Sequence, residues 1–355
     1  MNLTSFRTLG RSGLAVSPLA LGTMTFGNAS WGSTDGVSLD IFNAYVDVGG
    51  NFIDTADVYA KGRSEELVGS FVAGRSLRDR LVLATKSGFH AGEPGNVNAG
   101  GNGRKHMQRA LEGSLKRLGT DYIDLYWMHV WDRVTPVEEV LQSLGDMVRA
   151  GKIRYFGFSD VPAWYAAKAA TLAAVHGAPG PIALQLEYSL VERSIEREHV
   201  PAVRECGLGI CPWSPLAGGF LAGKYERDGT CTGAEVGVGV KGEGRLTAWK
   251  GFKTLTDRNW RTLDAVRTVA VQVNRPMAQV ALAWACAQPG ITSPILGASK
   301  RAHLDDNLAS LDITFTPEQL KSLNEASALD AVFPYSIFTD DVNRMVFGGA
   351  TVKGG

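Results

Sequence analysis

Four residues carry side chains whose types suit proton transfer to an oxygen atom: Asp54, Tyr59, Lys86 and His129. A lysine ammonium beside a tyrosine favours the phenolate and lowers the phenol pKa from its reference value of about 10. The tyrosine can then act as an acid, while a carboxylate such as Asp54 holds the lysine charged and oriented. A neutral imidazole such as that of His129 can hydrogen-bond a carbonyl and fix its approach. Together the four residues suit general acid–base work on a carbonyl oxygen.

Each of the four also has an ordinary structural interpretation, because charged residues at strand ends usually re-enter solvent there. Asp54 can cap a turn, with Asp57 as the functional acid in its place. Tyr59 can pack on a rim, Lys86 can be solvated, and His129 can be a hydrogen-bonded core residue. A function for the set is favoured because all of these interpretations would have to hold at once.

The elements that must position these residues are indicated by hydrophobic patterning. Short β-rich apolar runs alternate with amphipathic helical patterns, which is typical of parallel strands joined by crossover helices. The apolar runs predict eight strands, at about 19–26, 51–56, 81–87, 123–129, 153–159, 182–188, 208–213 and 292–297. Helices are predicted over about 38–48, 65–73, 105–118, 137–150, 163–175 and 278–287.

Eight such strands close a parallel barrel, so the sequence predicts one α/β domain with the (β/α)8 TIM-barrel fold over about residues 1–330. The carboxyl ends of barrel strands form one face, which brings Asp54, Lys86 and His129 from three adjacent strands to the same rim. A doubly wound open sheet is the alternative. It is disfavoured because no predicted strand is followed by the GxGxxG turn of a dinucleotide-binding fold of that type.

Three segments fall outside the strand–helix repeat. A hairpin is predicted at the N-terminus, where 6–9 and 14–16 flank the turn at 10–13. The long loop after strand seven, 215–257, is rich in glycine and is a candidate lid. A capped helix is predicted over 318–329 after Thr316, and within a C-terminal tail of 331–355 residues 333–355 are expected to be irregular, either over the barrel mouth or disordered.

Composition argues against several classes of protein. The 36 basic and 36 acidic residues balance, so no long-range field would gather nucleic acid or an anionic membrane. The four cysteines have no CxxC spacing, and neither a signal peptide nor a bilayer-spanning apolar run is evident, so a cytoplasmic setting is expected. The histidines lack HxxxH or HExxH spacing, and no metal is expected.

Four motifs make the chain resemble a known family. They are Gly22-Thr23-Met24, residues 51–59 (Asn-Phe-Ile-Asp-Thr-Ala-Asp-Val-Tyr) with 62–65 (Gly-Arg-Ser-Glu), residues 121–129 (Asp-Tyr-Ile-Asp-Leu-Tyr-Trp-Met-His) and residues 213–219 (Trp-Ser-Pro-Leu-Ala-Gly-Gly). From about Phe6 to Asp330 the sequence resembles the aldo-keto reductases. It is most similar to the bacterial branch that also resembles potassium-channel β-subunits and the aflatoxin-aldehyde and aryl-alcohol reductases.

The resemblance implies NADPH-dependent reduction of an aldehyde or ketone. Tyr59 would be the general acid, tuned by Lys86; Asp54 would pair with Lys86, and His129 would orient the carbonyl. The cofactor would lie extended across the rim, with Trp213 stacked on its nicotinamide ring. The positions implied for its nicotinamide and pyrophosphate are Thr23, Met24, Asp54, Ser159, Asp160, Gln185, Trp213, Ser214, Pro215, Leu216, Gly218 and Lys224.

Two of these positions depart from the family pattern. Asp160 stands where asparagine or arginine is more usual, which leaves its contribution open. Trp213 stands where many relatives have tyrosine.

The adenosine end of the cofactor is assigned by the same resemblance to the segment after strand eight and to a helix over 304–310. The implied contacts are Gly297, Ser299, Lys300, His303, Asp306 and Asn307. Ser299, Lys300 and Arg301 can supply donors and positive charge to a 2′-phosphate, which favours NADPH. Solvated residues in an ordinary loop are the structural alternative. Because His303 stands where relatives often have glutamine, NAD(H) stays open.

Aromatic residues near the rim are candidate substrate contacts beside Tyr59 and His129; they are Phe26, Trp31, Phe89 and Trp131. They could equally be packing residues, but as a lining they would suit a bulky apolar ketone or aldehyde. The resemblance adds keto-mycotoxins as an example, since some bacterial members of this branch reduce them. Two other functions are kept open: a cofactor-binding regulatory or redox-sensing subunit, and an NAD(P)-dependent alcohol or sugar dehydrogenase. A small-molecule carbonyl compound is the expected partner, and homo-oligomerisation stays open.

Overall fold

The computed structural model describes residues 1–28, 30–225, 227 and 256–352. Its ten strands are β1 (Arg7–Thr8), β2 (Ala15–Val16), β3 (Ala20–Gly22), β4 (Phe52–Asp54), β5 (Val82–Ser87), β6 (Ile123–Met128), β7 (Ile153–Ser159), β8 (Ala183–Gln185), β9 (Gly209–Ile210) and β10 (Ile295–Gly297). The described residues also form eleven α-helices, which are α1 (Asp35–Asp47), α2 (Arg63–Gly74), α3 (Arg104–Leu118), α4 (Val137–Arg149), α5 (Ala163–Val175), α6 (His199–Cys206), α7 (Asp257–Val273), α8 (Met277–Ala287), α9 (Arg301–Leu308), α10 (Pro317–Ala326) and α11 (Asp340–Val346).

Strands β3 to β10 form one parallel sheet in the order β10-β3-β4-β5-β6-β7-β8-β9. The two end strands of this order are brought together by a parallel bridge between Ile210 and Ile291. The amide of Ile295 adds a hydrogen bond to the Pro212 carbonyl at 2.8 Å. The sheet therefore curls round to meet itself, with helices outside it, and the prediction of a (β/α)8 barrel is confirmed.

Two hydrophobic layers follow the two-residue period of the strands. In β6, Leu125 and Trp127 belong to the cluster inside the barrel, whereas Tyr126 and Met128 belong to the layer between sheet and helices. Helix α4 shows the matching helical period, because Val137, Val140, Leu144 and Met147 all lie on its buried face. This double layer fixes the strand ends, and with them the side chains at the mouth.

The predicted elements are found, but β3, β4, β8, β9 and β10 are only two or three residues long, shorter than the apolar runs that predicted them. The N-terminal hairpin forms from β1 and β2, which pair antiparallel. Helix α10 begins after Thr316 with a reciprocal capping box between Thr316 and Gln319. Helices α6 and α7 were not predicted from the sequence.

The C-terminal tail was wrongly expected to be irregular throughout. Residues 340–346 form α11, whose first turn is capped by the Thr339 hydroxyl. A cap of this kind supplies a partner for an otherwise unpaired helix amide. The predicted lid at 215–257 lies largely outside the described residues, and the domain boundary near residue 330 stays a prediction.

Among the described helices, none has the length and apolar character required to cross a bilayer. The same part of the chain groups no three His, Cys, Asp or Glu side chains in a way that could hold a metal ion.

Candidate active site

The carboxyl ends of three neighbouring strands position the four residues, called the tetrad below. Asp54 is the last residue of β4, Lys86 lies near the end of β5, and His129 directly follows β6. These strands pair in parallel in that order, so their ends share one rim. Tyr59 opens a short 3₁₀ turn between β4 and α2. The structure thus brings together four residues that are spread over 75 positions of sequence, from 54 to 129.

The Lys86 ammonium is the centre of the tetrad. Its Nζ donates to Asp54 Oδ2 at 2.5 Å, to the Thr55 carbonyl at 2.7 Å and to Tyr59 Oη at 3.2 Å. Its side chain is 0% exposed, so three protein acceptors take the place of water. Asp54 Oδ1 accepts from Gln185 Nε2 at 3.0 Å. Of the two acids left open by the sequence, Asp54 is therefore the one that pairs with Lys86.

The hydrogen bond between Lys86 and Tyr59 has a fixed direction. An ammonium can only donate, so the Tyr59 oxygen is the acceptor. The hydroxyl hydrogen of Tyr59 stays available for another acceptor, such as a carbonyl oxygen.

The pKa of Tyr59 is raised above its ordinary value, chiefly by burial, while the Lys86 ammonium opposes that rise. The expected net lowering was therefore wrong, because desolvation outweighs the lysine charge. Tyr59 is a neutral phenol at physiological pH. For Lys86, burial lowers the pKa, but the charge of Asp54 and the hydrogen bonds that the ammonium donates to Asp54 and Tyr59 prevail and raise it, which keeps the ammonium protonated.

His129 completes the tetrad as a neutral imidazole. Burial and the nearby Lys86 charge hold its pKa well below the usual value. Its ring lies edge-to-face with Tyr59 at 5.8 Å and with Phe89 at 4.7 Å between centroids. Its Nδ1 has no hydrogen-bond partner among the described residues. The edge-to-face contact with Tyr59 places the ring where it can bind a polar oxygen next to the Tyr59 hydroxyl.

Asp57 lies behind the tetrad. It is 4% exposed, and neither carboxyl oxygen has a hydrogen-bond partner in the described structure. Burial, with a further contribution from Glu65, raises the pKa of Asp57 to about 7. Its backbone amide donates to the Lys86 carbonyl at 3.1 Å, which ties this loop to β5.

The next strands extend the rim beyond the tetrad. Ser159 and Gln185 end β7 and β8, and both are buried. Trp213 follows β9, and its indole Nε1 donates to Asp160 Oδ1 at 3.0 Å. Asp160 itself is exposed and has a left-handed backbone, with φ of 48°. A flat indole face and several polar groups therefore adjoin the tetrad.

Two predicted cofactor contacts lie further back in the structure. Thr23 is fully buried, and its amide and hydroxyl both donate to the Asp54 carbonyl, at 2.9 and 3.1 Å. Its hydroxyl thus holds the Asp54 backbone, which argues against the expected contact through this group. Met24 is half-buried beside it.

The loop after β9 offers backbone amides and one lysine. Left-handed φ values occur at Ser214, Ala217 and Gly218, and for the two non-glycine residues such a backbone costs about 1–3 kcal/mol each. Strain of this kind is concentrated at ligand-binding loops. Pro215 is buried, Leu216 is half-buried and Lys224 is exposed. The donor set fits the chemistry of a pyrophosphate.

The segment after β10 contains the predicted adenosine contacts. Gly297 and Lys300 are exposed, and Ser299 Oγ lies 3.4 Å from His303 Nδ1. The helix here, α9, begins at Arg301, earlier than predicted, so His303 lies in its first turn. Further along α9, Asp306 is exposed and Asn307 is buried.

Arg301 is held by ion pairs within the protein. Its guanidinium pairs with Asp305 at 2.9 Å and with Asp40 of α1 at 3.4 Å. A phosphate that bound Arg301 would therefore have to compete with these two carboxylates.

The candidate substrate contacts fall into two groups. Phe89 is 46% exposed next to His129, and Trp131 and Trp31 are half-buried. Phe26 is 0% exposed and packs on Phe71 beneath the mouth, so its expected place in the pocket is wrong.

Trp164 was missed from the sequence. It is exposed in the first turn of α5, on the mouth side, with its ring 5.6 Å from that of Trp131. Its position directly after a barrel strand was the signal that could have identified it.

Comparison with known proteins agrees with this architecture. The model of the aldo/keto reductase family matches residues 18–328. The chain is 33% identical over 350 residues to a protein named aryl-alcohol dehydrogenase (NADP(+)) from Phanerodontia chrysosporium, covering 92% of this chain and 87% of the relative. It is 36% identical over 324 residues to the uncharacterized oxidoreductase YrpG of Bacillus subtilis, covering 89% and 94%.

A third relative is norsolorinic acid reductase A of Aspergillus parasiticus, 32% identical over 334 residues, with 91% of this chain and 81% of the relative covered. The family match spans the barrel and includes all four tetrad positions. The chain belongs to the aldo/keto reductase family, and it is an oxidoreductase of carbonyl and alcohol groups.

Proposed function

We propose that the protein reduces an aldehyde or ketone reversibly to the alcohol, with NADPH as hydride donor and Tyr59 as proton donor. The observation that carries the proposal is the hydrogen bond from Lys86 to Tyr59, which leaves the phenol hydrogen free to be donated. The neutral His129 ring beside it supplies a second contact for the carbonyl oxygen. The polarised carbonyl is then ready for attack at carbon.

The residues of this chain account for the movement of the proton. When bound, the cofactor supplies a hydride to the carbonyl carbon and becomes NADP+. The C=O double bond becomes a single bond, and its oxygen takes the Tyr59 hydroxyl proton. Lys86 stabilises the tyrosinate that is left, and solvent then returns a proton to it. Asp54 keeps Lys86 charged and in place throughout.

NADPH is preferred over NADH because of the segment after β10. Ser299 and the exposed Lys300 supply a hydroxyl and a positive charge where a 2′-phosphate would bind. The relative from Phanerodontia chrysosporium carries NADP(+) in its name. NADH lacks the 2′-phosphate and could not form this charge-assisted hydrogen bond.

An aromatic aldehyde or ketone is the substrate class that the rim favours. Phe89 packs edge-to-face on His129, and Trp131, two residues further along the chain, packs edge-to-face with Trp164. Aromatic faces bind flat rings well by offset or edge-to-face packing. The name of the same relative, aryl-alcohol dehydrogenase, points to this class as well.

The proposal is tested by titrating purified protein with NADPH and NADH, followed by indole fluorescence, and then adding aromatic aldehydes and ketones. We expect selective NADPH binding and its oxidation, seen in nicotinamide absorbance. The matched variant Tyr59→Phe should bind NADPH normally and lose about 10²–10⁴ in turnover, since the ring remains and only the acid is gone. Normal turnover in Tyr59→Phe would remove the acid role. Tight NADPH binding without turnover on any carbonyl compound would indicate a redox-sensing subunit instead.

A further inference from the structure

A carboxylate faces the part of the rim where a flat ring can lie beside the tetrad. Asp160 follows β7, and its Oδ1 accepts the indole hydrogen of Trp213 at 3.0 Å. Its backbone is fixed on both sides: its amide donates to the Gln185 carbonyl at 3.1 Å, and its carbonyl accepts from the Trp131 amide at 3.4 Å. The carboxylate is therefore held in one place before any ligand binds.

Charged groups of both signs act on the Asp160 carboxylate. Lys86 is a positive group that acts on it, and it is already paired with Asp54. Glu187, two residues beyond the end of β8, adds a second negative charge. The field of Asp160 also reaches Tyr59, whose pKa it helps to raise. A flat ring that stacks on Trp213, next to a carbonyl group bound by Tyr59, would therefore also lie in the electrostatic field of Asp160.

A nicotinamide ring changes charge in the reaction. It is positive in NADP+ and neutral in NADPH, whereas the rest of the cofactor keeps its charge. A fixed carboxylate close to the ring in a partly dry site stabilises the positive form more than the neutral form.

We propose that Asp160 favours NADP+ over NADPH in binding and so makes the bound cofactor a stronger hydride donor. This inference rests on the proposed function, because it requires that the nicotinamide bind beside Trp213. It assigns to Asp160 the role of a residue that sets the relative affinity for the two redox forms. Removing the charge should weaken NADP+ binding about tenfold or more and leave NADPH nearly unchanged.

Asp160→Asn is the variant that removes the charge with least disturbance. Asparagine keeps an oxygen that can accept the Trp213 indole hydrogen, and it tolerates the left-handed backbone at this position. The dissociation constants of NADP+ and NADPH are measured separately by fluorescence for both proteins at about pH 8, where the wild-type carboxyl, with a pKa of about 6, is ionised. We expect the ratio of the NADP+ constant to the NADPH constant to rise about tenfold or more in the variant.

Two controls separate charge from structure. Asp121→Asn removes an exposed carboxylate just before β6, at the opposite end of the barrel, and should leave the ratio unchanged. Trp213→Phe removes the indole donor but not the charge, so it should weaken both cofactor forms by similar factors. Equal weakening of both forms by Asp160→Asn would overturn the inference and reduce Asp160 to a positioning residue for Trp213.

The pH dependence gives an independent readout. The protein atoms packed around the Asp160 carboxyl raise its pKa to about 6, although part of the residue surface is exposed; Glu187 also raises it, while Trp213, Ser159 and Lys86 oppose the shift. As pH falls through this value, the wild-type ratio should approach that of Asp160→Asn, while the ratio in the variant stays flat. If the wild-type protein binds neither form, the proposed function fails together with the inference. If it binds both and turns over, but the ratio is unaffected by Asp160→Asn, only the inference fails.

Discussion

The two sides of the barrel mouth differ in how deeply their polar groups are buried and in how many protein hydrogen bonds these groups make. On the tetrad side, at the ends of β4 to β6, the Lys86 ammonium is fully buried and hydrogen-bonded to three protein oxygens. On the loop side, which comprises residues 213–224 and 297–300, polar groups are half-buried or exposed, and the backbone is left-handed at several positions. The tetrad side is complete before a ligand arrives, whereas the loop side offers donors that a ligand can use. The groups proposed to transfer the proton are buried and hydrogen-bonded in advance, whereas the groups proposed to bind the cofactor are accessible.

The largest effect is expected from breaking the buried ion pair on the tetrad side. Lys86→Met leaves the Asp54 charge buried without its partner, which should lower the free energy of unfolding by about 3–5 kcal/mol and abolish turnover. Urea unfolding and a single-turnover assay measure the two effects.

The double variant Asp54→Asn with Lys86→Met is the matched control. It removes both charges, so it should recover much of the stability and none of the turnover. An exposed ion pair contributes no more than about 1 kcal/mol to stability. If Lys86→Met lowers the free energy of unfolding by no more than that, the Lys86–Asp54 pair is hydrated and not dry.

A somewhat smaller effect is expected at Asp57 on the tetrad side. Its carboxyl is buried, and neither of its oxygens accepts a hydrogen bond from the described residues. Its pKa is about 7 in the folded protein and about 4 when unfolded, so the folded state binds more protons between these values. The unfolding free energy should therefore fall as pH rises through this window, by about 2–4 kcal/mol.

Asp57→Asn isolates this contribution. Urea unfolding of both proteins between about pH 5 and pH 8 should show the variant gaining stability relative to the wild type as pH rises. Asp121→Asn, at an exposed carboxylate, serves as the control and should follow the wild type. Parallel curves for the wild type and Asp57→Asn would mean that water solvates the buried carboxyl.

The smallest of the three effects belongs to the loop side. Lys300→Ala should weaken NADPH binding by about 1.5–3 kcal/mol and leave NADH binding nearly unchanged, because only NADPH offers a phosphate there. The adjacent Arg301→Ala is a matched control with the same formal charge. Its guanidinium is already paired with Asp305 and Asp40, so its removal should cost NADPH much less. Equal losses for the two variants would show that the phosphate responds to general positive charge.

Sequence patterning was sufficient for the barrel and for the tetrad. The apolar runs of β4, β5 and β6 each end in or next to an ionisable side chain. The parallel arrangement forces these neighbouring strand ends together, so Asp54, Lys86 and His129 could be grouped without coordinates. The same reasoning failed at Phe26, two residues beyond Met24. The direction of the Phe26 side chain decides whether it lies in the barrel mouth or in the core. The sequence of the loop does not determine that direction, and in the structure Phe26 packs on Phe71.

Other features depend on contacts that no local pattern records. The pairing of Arg301 with Asp40 joins residues 261 positions apart, so the sequence could not show that this arginine already has carboxylate partners. The pKa of Tyr59 depends on how completely its ring is buried, and this outweighed the lysine charge that the sequence showed. Trp164 was missed because the sequence does not show that the first turn of α5 packs against Trp131.

The closure of the sheet has a consequence for synthesis of the chain. Strand β10 lies between β3 and the end of β9, yet it ends at residue 297, after every other barrel strand. While the chain emerges from the ribosome, β3 lacks one neighbour until that residue is free. All eight barrel strands must therefore leave the exit tunnel before the ring can close. Until then two open strand edges are exposed to chaperones and to other nascent chains.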